Sequence, residues 1–271
     1  LVYRIDLPLR HPAAWAAIEK LQGAIPASAM LDMNAAVELE RQSFSEVARD
    51  WLEQRPPVIA VAQRSLAGAV FAPDLLRLTL EHLQLVIVSL LLSILAGIPL
   101  GILAQRVPRA GRWILAGAGV LQTVPSLALL AFLIALLDRI GALPAVLALS
   151  LYALLPVIRG TEVALAGVGD RMRDAGRALG LSAGQLMWLI ELPLAVPGVL
   201  AGIRTAAVIN VGTATLAAFV GAGGYGERIV AGLAVNDHVV MLSGALPAAV
   251  LAVLIEGGLR QVERRLRPEP G

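Results

Sequence analysis

Three stretches of this chain, residues 83–104, 113–137 and 140–158, contain no charged side chain. At about 1.5 Å of rise per residue, helices of this length cross about 30 Å of hydrocarbon. Two more apolar runs follow. Residues 194–220 carry Arg204 and Asn210, and residues 239–255, the shortest run, extend to Leu259 if Glu256 reaches the interface. In lipid each backbone donor and acceptor must be bonded within the protein, so such runs are read as helices. Pro125 is expected to kink the second. The expected fold class is therefore all-α, a polytopic membrane helix bundle with about five transmembrane helices. Composition agrees: 58% of residues are hydrophobic and 15% charged, against roughly 25% charged in an ordinary soluble domain.

The arginines indicate orientation. Arg106, Arg109 and Arg112 lie between the first two runs; Arg159, Arg171, Arg173 and Arg177 follow the third; Arg260, Arg264, Arg265 and Arg267 follow the fifth. The other connections hold Asp138 with Arg139, and Glu227 with Arg228 and Asp237. Positive charge marks the cytoplasmic side. The C-terminus is thus expected inside and the N-terminus outside. A net charge of +2 gives no reason to expect nucleic acid as a partner. There is no cysteine, and His11, His82 and His238 stand far apart, so no metal site is expected.

Residues 1–57 read differently. Helical patterns occupy residues 12–21 and 45–52, the latter with Ser43 or Ser45 as its N-cap and Pro56-Pro57 beyond its end. Neither buries enough surface alone, and the first residue is Leu, so this piece is expected to be part of a larger domain. The order L-P-L-R-H-P-A-A-W-A-A-I-E-K-L, then M-N, then V-A-R-D-W-L resembles the C-terminal tail of glycine betaine/choline-type substrate-binding proteins over residues 5–53. The resemblance implies a small extracytoplasmic helical segment; a cytoplasmic helical hairpin is the alternative. The expected layout is then a binding-domain tail at 1–57, a linker at 58–82, a transmembrane domain at 83–260 and a cytoplasmic tail at 261–271.

The polar segment between the third and fourth runs carries the sharpest motif. Asp174-Ala175-Gly176, Gly180, Ile190 and Leu192-Pro193 fall at the spacing D-A-G-x3-G-x9-I-x-L-P. This resembles the EAA signature, E-A-A-x3-G-x9-I-x-L-P, of ABC importer permeases, with Asp for Glu and Gly for the second Ala. Residues 170–179 are expected to form a helix stopped by Gly180 at C′, and Ser182 to cap a second short helix, 183–191, closed off by Pro193. In the resembled family this knob, coupling segment 170–193, docks in a groove of an ATP-binding subunit. Carried over, Asp174, Ala175 and Gly176 form the docking turn, Gly180 permits the bend, and Leu192-Pro193 fix the exit into the membrane, with Leu181 and Ile190 in the same coupling set. A basic loop that only sets topology would not require this spacing.

Further phrases are similar to permeases for glycine betaine, choline, carnitine and related osmoprotectants: G-I-P-L-G-I at 97–102, Q-T-V-P-S-L-A at 122–128 and T-A-T-L-A-A-F-V-G-A-G-G-Y-G at 213–226. The last contains a literal G-x-G-x-x-G, but it follows a membrane run with no βαβ pattern, so a tight external turn is expected. The resemblance implies a type I ABC importer permease fold and no enzymatic chemistry. The chain has no G-x4-G-K-[ST], and its sole lysine is Lys20, so no cofactor is expected here; ATP and Mg belong to the partner subunit. Expected partners are that ABC ATP-binding subunit, a second permease copy (a homodimer), a substrate-binding domain, fused or separate, and the lipid bilayer. Gln122, Thr123, Ser126, Arg204, Asn210 and Thr213 are candidates for a translocation path or gate, with helix–helix contact as the plainer role. Arg204 is expected to pair with an acid such as Glu162 or Glu191, or to snorkel. Scattered aromatics argue against an aromatic cage in the spans. Rival readings are a same-architecture importer of an amino acid or other zwitterion, and a passive channel or scaffold.

Overall fold

The structure, a computed structural model, describes residues 10–19, 25, 27–53, 65–234 and 236–266. These residues are helical or loop, and they divide into two units: Leu1–Ser65 with Gly232–His238, and Leu66–Ala231 with Val239–Gly271.

The first unit contains α1 (Pro12–Glu19), α2 (Ala27–Glu38) and α3 (Phe44–Glu53). Of the two cap candidates, Ser43 is the one used. Its hydroxyl accepts from the Glu46 amide (3.2 Å), and the Glu46 carboxylate accepts from the Ser43 amide (3.0 Å), a reciprocal capping box. These bonds from Ser43 hold the Glu46 carboxyl below its ordinary pKa. Helix α2 has no clear apolar face, because its apolar residues are spread around the helix.

The second unit contains α4 (Leu66–Val70), α5 (Leu75–Arg106), α6 (Pro108–Thr123), α7 (Ser126–Leu137), α8 (Ala142–Ala166), α9 (Asp170–Ala178) and α10 (Ala183–Leu186). A π-helical turn, Met187–Glu191, leads into α11 (Leu192–Thr213), a 3₁₀ turn (Ala214–Val220), α12 (Gly226–Ala234) and α13 (His238–Leu266), of which the end of α12 from Gly232 and His238 at the head of α13 count with the first unit. The first membrane helix thus starts at Leu75, inside the stretch read as linker. Arg77 and Glu81 end the uncharged run, yet they pair at 2.7 Å as i, i+4 neighbours and so extend the helix. Likewise α13 runs on to Leu266, beyond the apolar run and into the stretch read as tail.

Helices α5, α8 and α11 form the central layer because small residues let their backbones approach. Gly97 and Gly101 of α5 face Val157 and Thr161 of α8; a Cβ on Gly101 would lie 2.5 Å from that of Thr161. Ser93 of α5 donates to the Ser150 carbonyl of α8 (2.7 Å). The contacts rise together in sequence, so α5 and α8 are parallel. Along α11 the order reverses: Gly198 faces Ala164, and Gly202 faces Gly160 and the Pro156 carbonyl. A Cβ on Gly202 would lie 2.8 Å from that carbonyl, so α8 and α11 are packed as closely as glycine allows.

The parallel pair decides how the intervening chain runs. Between Arg106 and Ala142 it must return from one end of the bundle to the other, which makes α6 and α7 two limbs of one broken span. They meet at 101° across Val124-Pro125. With α5, α8, the 183–220 helix and α13, the described residues then form five spans.

Candidate coupling segment

Helix α9 ends as its sequence requires. Gly180 takes φ +78°, while the Leu181 amide donates to the Gly176 carbonyl (3.1 Å) and the Gly180 amide to the Arg177 carbonyl (2.9 Å). This is a Schellman stop, and the left-handed residue at C′ favours glycine. Ser182 opens the next helix through a capping box with Gln185. Two short helices thus fold against each other across Gly180, with Leu181 half-buried in the bend.

Gly176 lies inside this hairpin. A Cβ there would come within 2.6 Å of Leu186 Cδ1 and 2.8 Å of Ile190 Cδ1. Gly176, carried over from the resemblance as part of the docking turn, is thus buried in the hairpin's interior against Leu186 and Ile190. The exposed surface carries Asp174, Ala175, Leu179 and Gly180, with Asp174 ion-paired to Arg177 at 2.9 Å. Pro193, read as the end of the second helix, does not end it. The chain passes through the π turn, where Leu192 donates to Met187, and continues as one helix into α11. Pro193 stands in the first turn of α11, and the widened turn accommodates its missing N–H. Leu192 packs with Leu165, Val168, Met187 and Ala195, and Pro193 is exposed.

At the root of the hairpin sits Glu191, 3% exposed. One carboxylate oxygen accepts from Arg173 Nε (2.9 Å), the other from Arg106 at the end of α5. Arg173 also donates to Asp170 (3.1 Å) and to the Leu165 carbonyl in the last turn of α8 (2.7 Å). The bond to Glu191, and secondarily that to Asp170, raises the pKa of Arg173 above its ordinary value. From the sequence, Glu191 is only one possible partner of Arg204. Its signal was an acid set between Ile190 and Leu192 at the edge of a membrane run.

The six path or gate candidates do not form one site. Arg204 pairs with buried Glu263 of α13 at 3.5 Å, so neither Glu162 nor Glu191 is its partner. Asn210 is fully buried and donates to Ser89 of α5 (2.8 Å). Nearby, His82 donates to the Val211 carbonyl (3.0 Å) and its ring lies 4.8 Å from that of Tyr225. Ser126 and Thr213 line one small cavity with Leu130, Tyr152 and Ala217. Gln122 bonds to the Tyr152 carbonyl, and Thr123 to its own helix at Val120. Among the described residues no cluster of His, Cys, Asp and Glu could hold a metal.

Among the described residues the fold is thus a bundle of five spans with a glycine-stopped polar hairpin keyed to its base. The chain belongs to the family binding-protein-dependent transport system inner membrane component, which matches residues 97–268, more than half of its length. Residues 1–54 match the substrate binding domain of ABC-type glycine betaine transport system. The chain is 38% identical over 195 residues, 72% of its length and 89% of the relative's, to the choline transport system permease protein OpuBB of Bacillus subtilis. It is 40% identical over 196 residues, 72% of its length and 89% of the relative's, to the carnitine transport permease protein OpuCB of Listeria monocytogenes. Among solved structures it is similar to the inward-facing MetNI methionine ABC transporter, with TM-score 0.65, 24% identity, and coverage of 72% of this chain and 98% of that one. It is also similar to an amino acid ABC transporter, with TM-score 0.63, 16% identity, and coverage of 74% and 97%. These structural likenesses concern the fold.

The chain is therefore a multi-pass permease subunit of the inner membrane, working with an ATP-binding subunit and a substrate-binding protein. Its relatives are transport permease proteins.

Proposed function

We propose that the chain carries glycine betaine, choline or carnitine-type osmoprotectants, as a homodimer whose two copies enclose one pathway. The observation that carries the solute class is the joint presence of a glycine betaine-type binding-domain match at residues 1–54 and a permease region similar to choline and carnitine permeases. In this reading residues 1–57 are the tail of the binding domain, fused ahead of the permease domain and lying outside. The arginine-rich ends of α5, α8 and α13 face the cytoplasm, consistent with the positive-inside rule.

The hairpin formed by α9 and α10 is then the docking element for the ATP-binding subunit, on which ATP and Mg are bound. Asp174, Ala175 and Gly180 meet that subunit. Gly176, Ile190 and Leu192 hold the hairpin's shape and root it in the bundle. Closure of the ATP-binding subunits turns the cavity outward; hydrolysis and release return it inward. The test is co-purification of the chain with candidate ATP-binding subunits, followed by ATPase assays with and without glycine betaine. Association in the wild type, loss of it in Gly180→Trp and betaine-stimulated hydrolysis support the reading. Association without stimulation contradicts the solute assignment, and no association contradicts the docking assignment.

A further inference from the structure

The ion trio at Glu191 joins three elements remote in sequence. Arg106 is the last residue of α5, Arg173 lies in α9, and Glu191 ends the π turn that feeds α11. Arg173 extends the link to α8 through the Leu165 carbonyl at 2.7 Å. The Glu191 side chain is 4% exposed and that of Arg173 14%, so this pair is held out of water. A buried carboxylate flanked by two guanidiniums binds both in fixed geometry, and loss of one partner leaves a charge uncompensated. Elsewhere the hairpin root is held by side-chain packing of Leu186, Met187 and Leu192, which permits sliding in a way that a forked ion pair does not. Helices α5, α8 and α11 are themselves locked by their glycine seams.

We infer that Glu191 is a positioning residue for energy coupling: through Arg173 and Arg106 it makes α9 move as one body with α5, α8 and α11. The inference rests on the docking assignment above and adds the residue through which a push on the hairpin reaches the membrane helices. In the Arg106 contact the link is half open to solvent on the arginine side, so that contact can be weakened without unfolding the root.

The experiment reconstitutes the complete importer, with its substrate-binding protein and ATP-binding subunit, in proteoliposomes. It measures glycine betaine taken up per ATP hydrolysed for wild type, Glu191→Gln, Arg173→Gln, their double variant and Arg106→Gln. The expected result is assembled complexes that hydrolyse ATP while the uptake ratio falls by about fivefold or more in each single variant. The double variant should be no worse than the worse single, since the two residues act through one contact. A ratio equal to wild type in Glu191→Gln, or additive losses in the double, overturns the proposal. If Glu191→Gln prevents assembly, Arg106→Gln decides: a lowered ratio supports the proposal and an unchanged ratio overturns it. Absence of uptake or of an ATP-binding partner in the wild type contradicts the proposed function instead, so the two failures are distinguishable.

Discussion

Gln122 and Tyr152 each bond the backbone at a proline-related break next to the other. Gln122 Nε2 donates to the Tyr152 carbonyl at 2.9 Å, and the Tyr152 hydroxyl donates to the Val124 carbonyl, at the break between α6 and α7. The Tyr152 carbonyl is the one that Pro156, four residues on, leaves without a helical donor. A polar side chain in a membrane span here completes a proline-interrupted helix. This account predicts that Gln122→Leu destabilises the protein by about 1–3 kcal/mol, the cost of a buried unsatisfied carbonyl. In a Pro156→Ala background, where the helix regains its donor, the same change should cost markedly less. Denaturation of the purified protein in detergent, run as a double-mutant cycle, checks this; equal costs in both backgrounds would contradict it.

Arg228 performs the same service at Pro247, where it donates to the freed Ser243 carbonyl at 3.1 Å. It also pairs with Asp74 at 2.7 Å, at the start of α5. The Arg228 guanidinium holds the Asp74 carboxyl below the usual carboxylate range. Because the folded pKa is the lower one, the pair's contribution is complete above the ordinary carboxylate pKa of about 4 and is lost as pH falls through the folded value. The Asp74 side chain is 43% exposed, so that contribution is expected to be under about 1 kcal/mol. Melting curves of wild type and Asp74→Asn should differ by a constant amount near neutrality and converge below about pH 4. A difference that grows on acidification would speak against the pairing.

At Gly180 the backbone has φ +78° and open space around it, so strain there comes from conformation and not from crowding. Gly180→Val should weaken association with the ATP-binding subunit, whereas Gly180→Asn, which tolerates the left-handed region, should retain most of it. Pull-down of the two variants side by side tests this, and equal association would remove the conformational argument.

Gly202 presents the opposite case, an ordinary helical φ with no room. Gly202→Val forces a side chain against the Pro156 carbonyl and Gly160, and should cost about 1–3 kcal/mol or more of stability. Gly119, with nothing within 4 Å, is the control, where Ala should be neutral or mildly stabilising. Thermal unfolding of both variants gives the comparison.

Much of this architecture was legible because hydrocarbon imposes a simple rule on the chain. The uncharged runs are helices, and Gly180 and Ser182 punctuate the hairpin where local turn chemistry requires. Where helices end was less legible, since Arg77 and Glu81 interrupt hydrophobicity while stabilising the helix by pairing. Pro193 read as a stop because proline cannot donate, but a π turn ahead of it absorbs that loss. Partner choice was the least legible. Glu191 meets Arg106 and Arg173, and Arg204 meets Glu263, only through the fold, and nothing in local spacing selects among several acids and arginines. The Gly and Ala stripes on α5, α8 and α11 were present in the sequence, but their registry depends on which helices are parallel.

The most direct test of the central claim is ATP-driven uptake of labelled glycine betaine into proteoliposomes containing the complete importer. The account predicts uptake that requires ATP, is competed by choline or carnitine, and is lost in Gly180→Val. Uptake that proceeds without ATP, or that Gly180→Val leaves intact, would contradict the account of this chain as an ATP-coupled permease.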